Sequence, residues 1–429
     1  MDVKPRSLKK INDLLERGVD MPNPATIDIG DDVDISRISG KGVRIYPGCR
    51  IYGKETAISS DCRLGYEAPV TIENCQLAEK VELKGGFFSK SVFLEKSNMG
   101  MGAHVREGCI LEEEAGGAHC VGLKQTILFP FVTLGSLINF CDCLMGGGTS
   151  RSNHSEVGSS YIHFNFTPDG DKATPSLLGD VPRGVMLNQP PIFLGGQGGI
   201  IGPVRLGFGN IVAAGSILKH DYPGNNQLIF EKAQAGSVKP FYPAAYPHLE
   251  RIVENNIFYL ANLKALEAWY THVRKPFLET GEYGSLLYAG VMERLASVRK
   301  ERLKRLNALA QKAAAAAEKT PSEAGARGRN ELHKHMAHLE DIFNGKASPA
   351  SGKTDRLRDT FLEDLESIAG KNKTNYIETI QMLPAGISSK GVMWLDSIIR
   401  GLGENVSEAV PALGSLKTFS QPICSRQGI

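Results

Sequence analysis

Four histidines stand in the first half of this 429-residue chain, His104, His119, His154 and His163. Imidazole moves protons near neutral pH more readily than any other side chain, so these are the natural general bases. They do not recur at the six-residue spacing described below and no paired glutamate accompanies them, so a zinc site is not expected. The eight cysteines form no CxxC pair, which argues against both a zinc ribbon and a disulfide scaffold. Cys49, Cys62, Cys75 and Cys109 each stand two residues before an aliphatic one (Ile51, Leu64, Leu77, Leu111). That is a place for a small hydrophobe rather than a reactive thiol. Basic residues gather at Arg294, Arg299, Lys300, Arg302, Lys304 and Arg305, interleaved with Leu295, Val298, Leu303 and Leu306. A helix with a solvated basic face is expected there, not a nucleic-acid patch. The net charge of +2, from 49 basic and 47 acidic residues, supplies no global field for nucleic acid.

The element that must position any chemistry is Phe193 to Asp221. Leu194, Ile200, Leu206, Val212 and Leu218 fall six residues apart, and Gly195, Gly207 and Ala213 each follow one of them. A period of six is neither 3.6 nor 2, so an amphipathic helix and an ordinary alternating strand both fail. Rungs of a parallel β-helix fit: one aliphatic side chain per short strand points inward, and a small residue turns the corner. Three rungs close a triangular coil, and stacked coils bury a ladder of like positions.

Rungs begin near Ile27 and run through Val43, Cys49, Cys62, Val70, Cys75, Val81 and Cys109. From Ala115 to Gly148 the register blurs. Rungs resume at Val157, a polar excursion from Thr167 to Pro175 leaves the coil, and a second spans Pro182 to Pro191. The division expected is a helix and linker over 1–24, the β-helix over 25–241 and a helical region over 242–312. A low-complexity, flexible or partly helical linker follows over 313–330, then short helices and a Gly-rich tail over 331–429. Leu249 to Trp269 repeats at three and four residues, an amphipathic helix. No chemistry is read in this C-terminal part. The chain lacks an apolar run of transmembrane length and a signal-peptide core, so a cytoplasmic location is expected, with no membrane and no nucleic acid as partner.

This pattern resembles the hexapeptide-repeat acyltransferase superfamily over roughly residues 25 to 221. It is similar in particular to the acetyltransferase half of the bifunctional N-acetylglucosamine-1-phosphate uridyltransferase/glucosamine-1-phosphate acetyltransferase family. Val157-Gly-Ser-Ser-Tyr-Ile-His-Phe-Asn165-Phe166-Thr-Pro-Asp-Gly170 looks like that family's I-G-A-G-T-I-T-C-N-Y-D-G coil. Pro203-Val-Arg-Leu-Gly207 and Ala213-Ala-Gly-Ser216 look like its closing coils. The resemblance implies a left-handed β-helix assembled as a homotrimer, with acetyl-CoA as co-substrate. It puts Asn165 and Phe166 against the coenzyme, and Ser159, Gly196 and Ala214 where coenzyme-contacting backbone is expected. Arg106, in Ala103-His-Val-Arg-Glu-Gly108, and Lys124, in Val121-Gly-Leu-Lys124, match cations that bind the sugar-nucleotide phosphate. A guanidinium and an ammonium suit that task.

Two departures stand out. The family's catalytic histidine lies in G-S-K-A-G-H-L-T-Y-L-G, and the matching Gly135-Ser-Leu-Ile-Asn139-Phe140-Cys141 has none. A shifted alignment makes His154 the best available base and His163, taken as a rung position facing solvent or a neighbouring subunit, the second. The family's nucleotide-binding G-x-G-T-R-M domain also has no counterpart before residue 25, so this chain is not expected to make UDP-sugars by itself. A metal site like that of the β-helical γ-class carbonic anhydrases is not expected. The reading is therefore acetyl transfer to a phosphorylated or nucleotide-linked amino sugar of the UDP-N-acetylglucosamine type. Its rival is a catalytically degenerate β-helix that binds sugar nucleotides or scaffolds an assembly.

Overall fold

The computed structural model describes residues 6–231, 236–238, 240–244, 246, 248–319, 323–345, 352–369, 375–411 and 416–419. After α1 (Leu8–Glu16), which buries Ile11 and Leu14, the chain winds into a parallel-strand β-solenoid with three faces. The first face stacks ten strands from Arg44–Ile45 to Leu228–Ile229, and the second stacks ten from Asp28–Ile29 to Ile217–Leu218. The third stacks eight, from Ala57–Ile58 to Arg205–Leu206. Leu194, Ile200, Leu206, Val212 and Leu218 take inward slots on the first, second, third, first and second faces in turn, and all are buried. Each contributes roughly 1.5–3 kcal/mol of burial, so the ladder is the main stabilising feature of this half of the chain. Cys49, Cys62, Cys75 and Cys109 are buried beside it.

At most corners one residue per coil turns with a left-handed backbone. Between the second and third faces these are Gly53, Asn74, Lys90, Gly108, Gln125 and Asp142. Asn tolerates that conformation better than most, but Lys90 and Gln125 do not favour it, and stacking on neighbouring coils holds them there.

The blurred stretch from Ala115 to Gly148 is in fact regular, with strands at Gly116–Gly117, Gly122–Lys124, Ile127–Leu128, Thr133–Leu134, Asn139–Cys141 and Cys143–Met145. The pattern is hidden because Gly117 occupies an inward slot and the Met99 side chain below fills its space. After Met145 the chain leaves the coil in an antiparallel hairpin, Gly148–Ser150 against Asn153–His154. A short helix α2 (Val181–Gly184) lies in the second excursion, its N-terminus capped by the Asp180 carboxylate.

The helical region covers the third face. It comprises α3 (Leu249–Trp269), a π-helical turn Tyr270–Arg274, α4 (Lys275–Glu279), α5 (Gly284–Lys319), α6 (Glu323–Phe343), α7 (Gly352–Ala369), α8 (Tyr376–Gln381) and α9 (Ala385–Ala409). One expectation needs correction and two gain detail. The basic face of α5 is not simply solvated: Arg294 and Arg302 are buried against the solenoid, and Gly290 lets the helix approach so closely that a Cβ would strike Gln76. Ala313 to Lys319, read as the start of a linker, completes α5 and buries Ala313, Ala314 and Ala317. The C-terminal tail, expected to be helical, carries the 25-residue helix α9 within its Gly-rich stretch. Its Gly391 and Gly403 are contact positions against Phe361 and Phe419, so glycine here permits packing rather than breaking the helix.

Candidate functional site

The proposed coenzyme-contacting backbone falls in one column at the corner between the first and second faces. Gly158 donates its backbone N–H to Leu194 of the next coil, and Gly195 donates to Val212 of the coil after. Ser159, Gly196 and Ala214 follow these residues and stack in turn. A Cβ on Gly158 would run into the Gly196 backbone, and one on Gly195 into the Ala214 backbone. Glycine is required here because coils approach backbone to backbone. Ser159 Oγ accepts the Ser136 N–H at 3.2 Å, and its carbonyl accepts the Gln197 N–H at 2.9 Å.

Arg106, Lys124, Asn165 and Phe166 lie at a different corner, between the second and third faces. Lys124 is in register with Cys141, and Arg106 donates its backbone N–H to Leu123. The Lys124 ammonium is 2.8 Å from a Glu107 carboxylate oxygen. Burial pushes the Glu107 pKa up, but the Lys124 hydrogen bond, a backbone donor and the charges of Lys124 and Arg106 outweigh it, so the carboxyl lies below its usual range. An arriving phosphate therefore has to compete with a carboxylate already on Lys124. The Arg106 guanidinium faces the Cys141 sulfur at 3.8 Å. Phe166 is 75% exposed at the start of the loop, and Asn165 stands three residues after Ile162 just as Asp142 stands three after its strand partner Asn139.

The two histidines have opposite environments. His154 sits on the hairpin at the corner between the third and first faces, half-buried. Its Nδ1 is 2.7 Å from the Arg151 carbonyl, which can only accept. In the neutral ring Nδ1 thus carries the proton and Nε2 keeps its lone pair, the arrangement a general base needs. A Glu156 carboxylate oxygen lies 3.9 Å from Nε2. His163, expected to face solvent or a neighbouring subunit, instead fills the inward slot paired with Ile200, and its Nε2 is 2.7 Å from Ser176 Oγ. Burial, helped by the positive charge of Arg302, pushes its pKa down to about 3. It is a neutral core residue and a poor base. Asn139–Cys141, where the resemblance places a catalytic histidine, is a regular strand with Phe140 pointing into the core.

Within one chain the candidates therefore occupy three corners: His154 at one, Ser159, Gly196 and Ala214 at the next, and Arg106, Lys124, Asn165 and Phe166 at the third. Sequence reasoning missed the groups that the helical region brings to the solenoid. Asp142 pairs with Arg302 at 2.7 Å, both buried. Glu113 pairs with Arg274 at 2.5 Å, while the Tyr270 hydroxyl donates to Glu112 at 2.5 Å. Burial first, then the charge of Glu113, raise the Glu112 pKa to about 7 against the opposing pull of Arg274. No local pattern reports these pairs, because the partners lie some 160 residues apart (|i−j| of 161 for Glu113 and Arg274). A cleft of about 560 Å³ between the third face and the helices is lined by Glu113, Arg274, Phe277, Leu362 and Tyr376, among others, and by none of the residues proposed from sequence. Among the described residues no group of three or more His, Cys, Asp or Glu side chains could hold a metal ion, and no helix is long and apolar enough to cross a membrane.

No family model matches this chain. Curated relatives do. The chain is 29% identical over 217 residues to the bifunctional protein GlmU of Thermotoga maritima, covering 50% of this chain and 43% of that protein. It is 26% identical over 222 residues to bifunctional protein GlmU of Trichlorobacter lovleyi, covering 52% and 43%, respectively. It is 29% identical over 231 residues to bifunctional protein GlmU of Fervidobacterium nodosum, covering 54% and 45%. The chain thus spans less than half the length of these relatives. Similarity over half of the chain, together with the parallel β-solenoid itself, fits the hexapeptide-repeat acetyltransferase half of GlmU.

Proposed function

We propose that this protein transfers an acetyl group from acetyl-CoA to the amine of a phosphorylated or nucleotide-linked amino sugar, acting as a cytoplasmic homotrimer. The observation that carries the reading is the column of Ser159, Gly196 and Ala214, where coils approach backbone to backbone and Ser159 lies on the same coil as Asn165 and Phe166, one corner before them. Similarity to GlmU proteins supports a sugar-phosphate transferase family. In this mechanism the corner column supplies backbone groups to the coenzyme arm, and Phe166 offers an exposed ring to it. Arg106 and Lys124 hold the acceptor's phosphate, with Glu107 giving up Lys124 as the phosphate arrives. Nε2 of His154 takes a proton from the acceptor amine as it attacks the thioester carbonyl, and the coenzyme thiolate leaves with a proton. The carbon–nitrogen bond forms as the carbon–sulfur bond breaks. Because the three groups of residues sit at three corners of one chain, a site assembled between neighbouring subunits accounts for their separation.

The test is release of free coenzyme thiol from acetyl-CoA with glucosamine 1-phosphate as acceptor. His154→Ala is expected to lower turnover by at least 100-fold while leaving coenzyme affinity intact. Unchanged turnover in that variant sinks the assignment. A second reading, a sugar-nucleotide binder without catalysis, is favoured by one observation: the strand Asn139–Cys141 carries no base. Saturable UDP-N-acetylglucosamine binding without any thiol release distinguishes it.

A further inference from the structure

The loop Thr167–Pro175, which follows Asn165 and Phe166, is bonded from outside by the helical region and the segment leading into it. The Tyr246 hydroxyl donates to the Asp171 carboxylate at 2.9 Å, and the Ala244 N–H donates to Asp169 at 3.0 Å. Asn256 of α3 donates to the Ala173 carbonyl at 3.0 Å. From α5, Lys312 donates to the Asp169 carbonyl and Arg302 Nη1 to the Lys172 carbonyl at 3.4 Å. Arg302 also pairs with Asp142, which stands at the position matching Asn165 on the adjacent coil (Asn139 pairs with Ile162). The loop's own contacts are a short turn: the Gly170 N–H donates to the Thr167 carbonyl at 2.8 Å, Thr167 Oγ1 and Asp171 Oδ2 are 3.1 Å apart, and the N–H groups of Lys172 and Ala173 bond to Thr167 and Asp171 side chains. A nine-residue segment with so few internal bonds depends on outside partners for a single conformation.

We propose that the helical region, through Arg302, Lys312 and Tyr246, is a brace that positions the Asn165–Phe166 segment and the loop after it, making Arg302 a positioning residue for the ligand-bearing corner. The arrangement is a chain of three links. Arg302 fixes Asp142, Asp142 stands in register with Asn165 on the adjacent coil, and Arg302 also fixes the loop backbone at Lys172. Both ions of the first link are buried, so each depends on the other for compensation, and the pair sets one geometry rather than a range. The inference rests on the coenzyme reading only for which ligand the corner takes.

The experiment uses the full chain. Amide hydrogen exchange is followed in wild type, Tyr246→Phe, Lys312→Met and Arg302→Met, alongside calorimetric titration with acetyl-CoA. Tyr246→Phe and Lys312→Met each remove one peripheral bond and leave the buried pair in place, so they report even where Arg302→Met fails to fold. The expected result is at least tenfold faster exchange at Gly170, Lys172 and Ala173, with no change at Arg63 and Leu64 in a distant coil. In Tyr246→Phe and Lys312→Met, coenzyme affinity is expected to weaken about tenfold with the melting temperature held. Unaltered loop exchange in every folded variant overturns the proposal. Faster exchange with unchanged affinity, in a protein whose wild type binds the coenzyme, overturns it as well. A wild type that binds no coenzyme retires the functional reading, and faster loop exchange in the variants then still supports the brace.

Discussion

At the scale of residues, the chain separates side chains that look alike in sequence. His154 and His163 lie nine positions apart, yet one keeps a lone pair near solvent and the other is a core residue. The alternation that decides this is local: Ile162 and Phe164 are exposed, so His163 must point inward. Only a fixed register reveals it, because a polar residue in an inward slot breaks the apolar pattern by which rungs are recognised. A pH effect follows. The folded pKa of His163 is pushed down to about 3, whereas the unfolded chain titrates near 6.5. The unfolded state therefore binds the extra proton as pH falls between these values. This contribution is fully present above about 6.5 and is lost toward 3, at up to about 1.4 kcal/mol per pH unit. Glu112, raised to about 7, has the opposite sign: it loses stability as pH rises from its unfolded value toward 7. Denaturant midpoints at pH 7, 6 and 5 for wild type and His163→Leu isolate the first effect, and equal slopes in the two proteins would contradict it. The cysteines were legible from spacing alone. Burial pushes the thiols of Cys62, Cys75 and Cys109 up to about 12, so alkylation of the native protein at pH 8 should modify Cys120 and spare these three until unfolding. Rapid labelling of Cys75 would refute its inward position.

At the scale of elements, the six-residue ladder was readable wherever inward slots held aliphatic residues, and illegible where Gly117 borrowed the volume of Met99. The helices from Leu249 onward were readable as amphipathic patterns, but their docking was not, since it depends on Gly290, Arg294 and Arg302 meeting side chains far away in sequence. The glycines make a sharp comparison. Gly195→Ala drives a Cβ into the Ala214 backbone and should cost about 1–3 kcal/mol. Gly401→Ala, in α9 with no atom within 4 Å of the new Cβ, should add about 0.5–1 kcal/mol. Chemical denaturation of the two variants reads both. A tolerated Gly195→Ala would mean that the corner column is looser than the coil-to-coil hydrogen bonds require.

At the scale of the whole molecule, the third face is covered by helices while the other two carry apolar columns that no described residue covers. Ile162, Ile217, Phe164 and Ile201 line the second face, and Phe193, Ile211 and Leu228 the first, all exposed. Contiguous apolar surface of this kind marks an interaction site. Assembly through these two faces is consistent with the trimer proposed above, and sedimentation equilibrium should give three chains, with Ile211→Glu shifting the species to monomer. A monomeric wild type would contradict the shared site. The central claim is that the solenoid corner bearing Phe166 takes acetyl-CoA, and direct calorimetric titration with the coenzyme tests it. Saturable binding is expected, weakened at least tenfold by Phe166→Ala, a change at an exposed residue that leaves the fold intact. No heat from a folded wild type at millimolar coenzyme, or affinity indifferent to Phe166, would contradict it.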